Sequence, residues 1–169
     1  MALTSSASVA LNGVQTNPLD LATPAMDLKI RDATTWSTGT GAGKADRIWS
    51  DRRTLAASAS EDLDLAGVLV DAFGATITFA RIKGLYIAAS AANTNNVVVG
   101  NATSNAWAAL LGATHTLTLR PGTSICLVTG VADATCYAVT AGTGDQLKIL
   151  NSAAGTSVTY DIGIIGCSA

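Results

Sequence analysis

TITFARIKGLYIAAS, residues 76–90, alternates apolar and polar side chains for most of its length. Alternation with a period of two, in β-branched and aromatic residues, is the signature of a half-buried strand. Ile77, Phe79, Arg81 and Lys83 share one face, and Thr76, Thr78, Ala80 and Ile82 the other. The phase breaks at Lys83-Gly84, after which Leu85 and Ile87 carry the apolar set; a bulge or bend at Gly84 accounts for the break.

The same style extends in both directions. On the N-terminal side, SEDLDLAG (60–67) sets Leu63 and Leu65 against Asp62 and Asp64, and RIWSDRRTLAAS (47–58) reads as one strand or two short ones. On the C-terminal side, the turn formers ANTNN (92–96) lead into the apolar VVVG (97–100), and NAWAALLG (105–112) reads as a strand or a single helical turn. HTLTLRPGTSICLVTG (115–130) has the form of a hairpin turning at Pro121-Gly122. CYAVTAG (136–142), DQLKILNS (145–152) and SVTYDIGIIG (157–166) are further strands, the last with Tyr160, Ile162 and Ile164 on one face. Short strands at this spacing, with no convincing amphipathic helix, predict an all-β fold: a β-sandwich or jelly-roll-like single domain.

The N-terminal region is different. Residues 1–25 are rich in Ser, Ala and Asn, contain Pro18 and Pro24, and show no sustained period. They read as an extended arm, ordered only where it lies on something else. The sandwich domain is then 26–169. It opens with MDLKIR (26–31), a half-buried strand with Met26, Leu28 and Ile30 on one side, followed by a Gly/Thr-rich loop at 34–45.

That loop, with GTGAGKA at 39–45, has the look of a phosphate-binding turn, but it fails the pattern. A P-loop requires glycine where Thr38 stands and a hydroxyl where Ala45 stands, and a dinucleotide fingerprint begun at Gly39 or Gly41 lacks its third glycine. No nucleotide or other cofactor is expected.

Composition narrows the function. Of 169 residues, 49% are hydrophobic and only 13% charged, against about 25% in a typical soluble domain. The chain is long enough for its own core, burying roughly 70% of its unfolded surface. Its low charge removes one barrier to packing copies side by side and favours a large permanent interface. No run of about 18 apolar residues supports a membrane span, since Arg81 and Lys83 interrupt the best candidate. MALTSSASVALNGVQ lacks the basic start of a secretory signal. Net charge is −2. Arg47, Arg52 and Arg53 are offset by Asp46 and Asp51, which gives nucleic acid little to bind.

Candidate chemistry is sparse. His115 is the only histidine, so any Ser-His or Cys-His system would have to be built around it. Cys126, Cys136 and Cys167 are read as reduced, packed thiols, although Cys126 and Cys136 fall in neighbouring predicted strands. Asp62 and Asp64 share a strand face beside Glu61, an arrangement open to Ca²⁺ or acid/base work and equally to a solvated face. Asn101-Ala102-Thr103 matches a glycosylation sequon, which has no consequence without secretion. Trp36, Trp49 and Trp107 read as core or interface anchors.

Much of the chain, from about Asp46 to Ala169, resembles small structural proteins encoded in the head and tail regions of tailed-bacteriophage genomes. The resemblance rests on RTLAASASEDLDLAG, LVDAFGATITFARIKGLYIAAS, NTNNVVVG, LRPG and AVTAGTGDQLKILNSAAGTSVTYDIGIIGCSA. It includes no catalytic motif, and residues 1–45 lie outside it. It implies a non-enzymatic virion component, best a capsid decoration or cement protein. Such a protein is made in the host bacterial cytoplasm and binds the major capsid protein on the outer shell as a homo-oligomer, typically a trimer. The expected interface residues are Leu3, Val9, Leu11, Leu19 and Leu21 of the arm, with Trp49, Arg52 and Trp107. Alternatives are a tail-tube, head-fibre or baseplate component, a host-glycan-binding module using Trp107 or Trp49 with the NTNN loop, and a hydrolase using Asp62 and Asp64.

Overall fold

The computed structural model describes residues 2–169. Its strands are β1 (Ser5–Thr16), β2 (Ala25–Thr38), β3 (Lys44–Ala45), β4 (Arg47–Leu55), β5 (Ser60–Asp64), β6 (Arg81–Ala89), β7 (Val97–Gly100), β8 (Thr116–Leu119), β9 (Ser124–Val128), β10 (Tyr137–Ala138), β11 (Gln146–Asn151) and β12 (Val158–Cys167). The one helix among the described residues is a single turn, α1 (Ala108–Leu111), so NAWAALLG takes the helical of its two expected forms. The fold is all-β.

Of the fold-deciding stretch only Arg81–Ala89 becomes a strand, β6, at the centre of a five-stranded antiparallel sheet; residues 77–80 are irregular, although Ile77 and Phe79 are buried in the core. β6 pairs with β12 on one side and with β9 and β10 on the other, and β12 pairs with the edge strand β4. A second, four-stranded antiparallel sheet has the order β5-β11-β7-β8. Both sheets send their apolar faces into one core. Trp49, Leu85, Ile87, Tyr160, Ile162 and Ile164 enter from the first sheet, and Leu63, Val97, Val99, Leu119, Leu147 and Ile149 from the second. Each large side chain so buried is worth about 1.5–3 kcal/mol. Strand alternation alone produces this, because inward residues recur at every second position.

The phase break at Gly84 is a β-bulge. Ile165 pairs with Gly84, and the next residue, Gly166, pairs with Ile82, leaving Lys83 as the extra residue. The bulge lets Ile82 and Leu85, three apart, both reach the core. It also sets Lys83 against the 39–43 loop, where it is fully buried and its Nζ donates to the Gly41 carbonyl at 2.6 Å. Gly166 is required at this point. A Cβ there would overlap the Arg81 carbonyl oxygen and stand 2.8 Å from the Phe79 ring.

Two expectations are corrected. TLTLRPGTSICLV is not a hairpin. β8 belongs to the four-stranded sheet and β9 to the five-stranded one. The turn between them, closed by the Thr123 N–H donating to the Arg120 carbonyl at 2.9 Å, carries the chain across the core. Leu119 and Leu127 point to the same core from opposite sides, and alternation reads that arrangement and a hairpin identically. The second correction is at the N-terminus. β1 pairs in register with β2 over its whole length, from Ser5 opposite Trp36 to Thr16 opposite Ala25. Residues 25–38 therefore belong with 5–16 in one long ribbon. The strand in MDLKIR is not half-buried: Met26 is 65% exposed and Ile30 53%. The Gly/Thr loop contracts to residues 39–43, with Gly39 and Gly43 at positive φ.

Candidate interaction surface

Directly opposed residues of an antiparallel pair share a face, so the ribbon's register assigns its two surfaces. One carries Ala7, Val9, Leu11, Met26, Leu28, Ile30 and Trp36; the other carries Ser6, Ser8, Asn12, Val14, Asp27, Lys29 and Arg31. The ribbon is thus amphipathic. At its root the apolar face is covered. Trp36 is fully buried, its ring 3.4 Å from the place a Gly84 Cβ would occupy, and its Nε1 finds no acceptor among the described residues. The Leu3 N–H donates to Thr38 Oγ1 at 3.0 Å, and that hydroxyl donates back to the Leu3 carbonyl at 2.7 Å, pinning the two limbs together. Beyond the root the same face is bare: Leu11 is 58% exposed, and Leu21 in the tip loop fully so. A contiguous apolar surface left open in this way marks an interaction site. A two-stranded hairpin is also marginal in water without a layer to pack on.

A second apolar surface lies on the outward face of the five-stranded sheet. The register sets Ile48 beside Ile165, and in the next row Ser50, Gly163, Tyr86 and Cys126 side by side. Ile48 and Tyr86 are exposed. A Cβ on Gly163 would meet nothing within 4 Å, so the shelf has a trough down its middle. Together with Ala7 these residues line an apolar groove of about 200 Å³. The third row closes the shelf with charge. Arg52 donates from Nε to Asp161 Oδ1 at 2.6 Å and from Nη2 to Oδ2 at 2.8 Å, and this bidentate pair holds the Asp161 carboxyl below its ordinary value.

The expected interface residues divide between these surfaces and the core. Val9 and Leu11 lie on the bare ribbon face, Leu19 and Leu21 in its tip loop, Leu3 at its root, and Arg52 on the rim of the shelf. Trp49 and Trp107 do not join them. Trp49 is buried beneath the Arg53 guanidinium, 5.6 Å from its ring centroid. Trp107 is buried edge-on to Tyr137 and donates from Nε1 to the Ala138 carbonyl at 2.8 Å. Sequence reasoning missed Met26, Leu28 and Ile30 as surface residues, because alternation was read as burial within the body. It missed the shelf entirely, since Ile48, Tyr86 and Ile165 stand on three strands whose adjacency only the topology supplies.

The other candidates lie in the body. The NTNN loop holds the body together: Asn93 Nδ2 donates to the Thr159 carbonyl and its Oδ1 accepts the Thr159 N–H, while Asn95 Nδ2 donates to Asn151 Oδ1. Asp64 accepts the Ala66 N–H at 2.9 Å within a turn, and Asp62 lies opposite Lys148 in the β5–β11 register. Glu61 faces the gap between edge strands β4 and β5. It accepts from the Tyr160 hydroxyl at 2.8 Å and from Arg53 Nη1 at 2.6 Å. Asp51 is 3.0 Å from Arg53 Nε, an ion pair without an aligned hydrogen bond. Burial first, and then the bond to Glu61, push the Tyr160 hydroxyl well above the usual phenol range. His115 is exposed just ahead of β8. Cys126, Cys136 and Cys167 are free thiols, but only Cys167 is packed as expected, and burial pushes its thiol up; Cys126 is exposed on the outward face of β9. Among the described residues no group of three or more His, Cys, Asp or Glu side chains gathers to hold a metal ion, and no helix is long and apolar enough to cross a membrane.

Compared with known proteins, the chain matches no family model, and no curated protein or solved structure matches it.

Proposed function

We propose that this chain is a non-enzymatic structural protein of a tailed-bacteriophage virion. In this reading it decorates the outer capsid surface as a homo-oligomer, a trimer in the simplest case, and stabilises the shell by covering it. The observation that carries the reading is the bare apolar face of the β1–β2 ribbon on a small, charge-poor body. A protein that works by contact area needs such surface and needs no reactive group. Specific association typically buries about 1,600 Å², and repetition over a symmetric lattice multiplies a modest contact through avidity.

The body is read as a jelly-roll-like sandwich. In support, β4-β12-β6-β9 in one sheet and β5-β11-β7-β8 in the other have the interleaved order of eight strands wound as two Greek keys. Such a body is a rigid platform that resists the deformation of a swelling shell. The resemblance in RTLAASASEDLDLAG and the segments after it adds the phage context.

The test is co-sedimentation of the purified protein with assembled heads free of it, followed by imaging of the virion. Saturable binding to heads, with density for a two-sheet knob outside the shell, is the expected result. Density in the tail with none on the head would contradict the decoration role.

A further inference from the structure

The ribbon and the shelf belong to one chain, and each lacks what the other supplies. The ribbon's distal half presents Leu11, Met26, Leu28 and Ile30 with nothing against them. The shelf presents the exposed Ile48 and Tyr86 around the trough at Gly163, with Ile165 half-buried toward the chain's own Trp36. The ribbon does not reach its own shelf with that half, because Trp36 against Gly84 and the Lys83–Gly41 bond fix its root on the sheet and the exposed residues lie beyond them.

We propose that the β1–β2 ribbon lays its apolar face across the outward face of the five-stranded sheet of a second copy of this chain. The contact is head-to-tail, so each copy gives one ribbon and receives one, and the assembly closes into a ring or a reciprocal pair. Charge agrees with this orientation. The apolar ribbon face carries one formal charge, Asp32, and the shelf rows at Ile48 and Ser50 carry none, whereas Asp27, Lys29 and Arg31 lie on the face left to solvent. Area agrees as well. The nine residue pairs beyond the covered root, Ser8–Ala33 to Thr16–Ala25, make a ribbon about 30 Å long and about 10 Å wide. Its footprint is then about 300 Å², and a reciprocal pair, each chain giving and receiving one, buries about 1,200 Å² in total, the lower end of a standard specific interface. The inference goes beyond the virion reading and stands or fails without it, because it concerns the purified chain alone.

The experiment is sedimentation velocity on the purified protein and four variants, with circular dichroism as the check on the body. Leu11→Asp with Ile30→Asp puts charge on the ribbon face. Gly163→Arg fills the trough at a position where a side chain has open space in the single chain, and Ile48→Lys is a second shelf variant should the first disturb β12. Val14→Lys alters the ribbon's polar face, opposite Asp27, and is the control. The wild type and Val14→Lys are expected to sediment as oligomers, and the ribbon and shelf variants as folded monomers. Mixing the ribbon variant with a shelf variant is expected to restore association, since one keeps the shelf and the other the ribbon. A monomeric wild type would overturn the proposal. So would oligomers that survive both shelf variants, or a mixture that stays monomeric, either of which would place the ribbon against something other than the shelf.

Discussion

Ile30 and Ile149 each end a Leu-Lys-Ile run in an alternating strand, yet Ile149 is fully buried and Ile30 is half in water. The run they share does not separate them. The difference is that β11 has the opposite sheet over its apolar face, whereas β2 has only β1 beside it. A period of two reports that one face of a strand is to be covered. It does not report whether the cover lies in the same chain. In this protein the body satisfies its own strands and the ribbon does not, and the functional reading follows from that contrast.

The contrast is breakable by substitution. The largest effect is expected in the core: Ile149→Ala is expected to cost about 2–5 kcal/mol. Ile30→Ala, measured in the same chemical denaturation at a dilution where the chain is monomeric, is expected to stay within about 0.5 kcal/mol of wild type. Equal losses would mean that the ribbon is already packed. The next effect separates two glycines of one strand. Gly166→Ala meets the Arg81 carbonyl and the Phe79 ring and is expected to cost about 1–3 kcal/mol. Gly163→Ala enters open space and is expected to gain up to about 1 kcal/mol, because glycine weakens a strand interior.

The polar closure between β4 and β5 gives a third comparison. Glu61→Ala leaves the Tyr160 hydroxyl buried without its acceptor, and thermal denaturation is expected to register a loss of about 1–3 kcal/mol. The smallest effect is on pH. Tyr160 keeps its proton in the folded chain well above its unperturbed value of 10.0, where the unfolded chain ionises. The folded state then binds the extra proton, so stability present below that pH is lost as pH rises past it. Tyr160→Phe is expected to flatten this alkaline fall relative to wild type; an unchanged slope would remove Tyr160 as its source.

Much of the body was legible because strand period and core burial are the same physical fact. Tyr160, Ile162 and Ile164 line the core as their spacing requires, and the phase break at Gly84 announced the bulge that buries Lys83. Legibility ended where pairing is non-local. TLTLRPGTSICLV is consistent with a hairpin and with a crossing between sheets, and only the partners of β8 and β9 distinguish them. Val9 and Leu11 were visible as arm residues, but their pairing with Asp32 and Ile30 was not, because half of β1 is polar and its apolar residues fall on both faces, Val9 and Leu11 on one, Ala10 and Val14 on the other. Trp49 and Trp107 read as anchors for a partner; the cation above one and the backbone acceptor beside the other show them anchoring the core.

Hydrogen–deuterium exchange at low and high protein concentration compares the two regions most directly. Amides of β6, β11 and β12 are expected to be protected equally at both concentrations, since their cover is in the chain. Those of β1 and β2 beyond the Trp36 root are expected to exchange fast in the dilute sample and to gain protection as copies associate. A ribbon as protected as the core in the monomer would contradict the account.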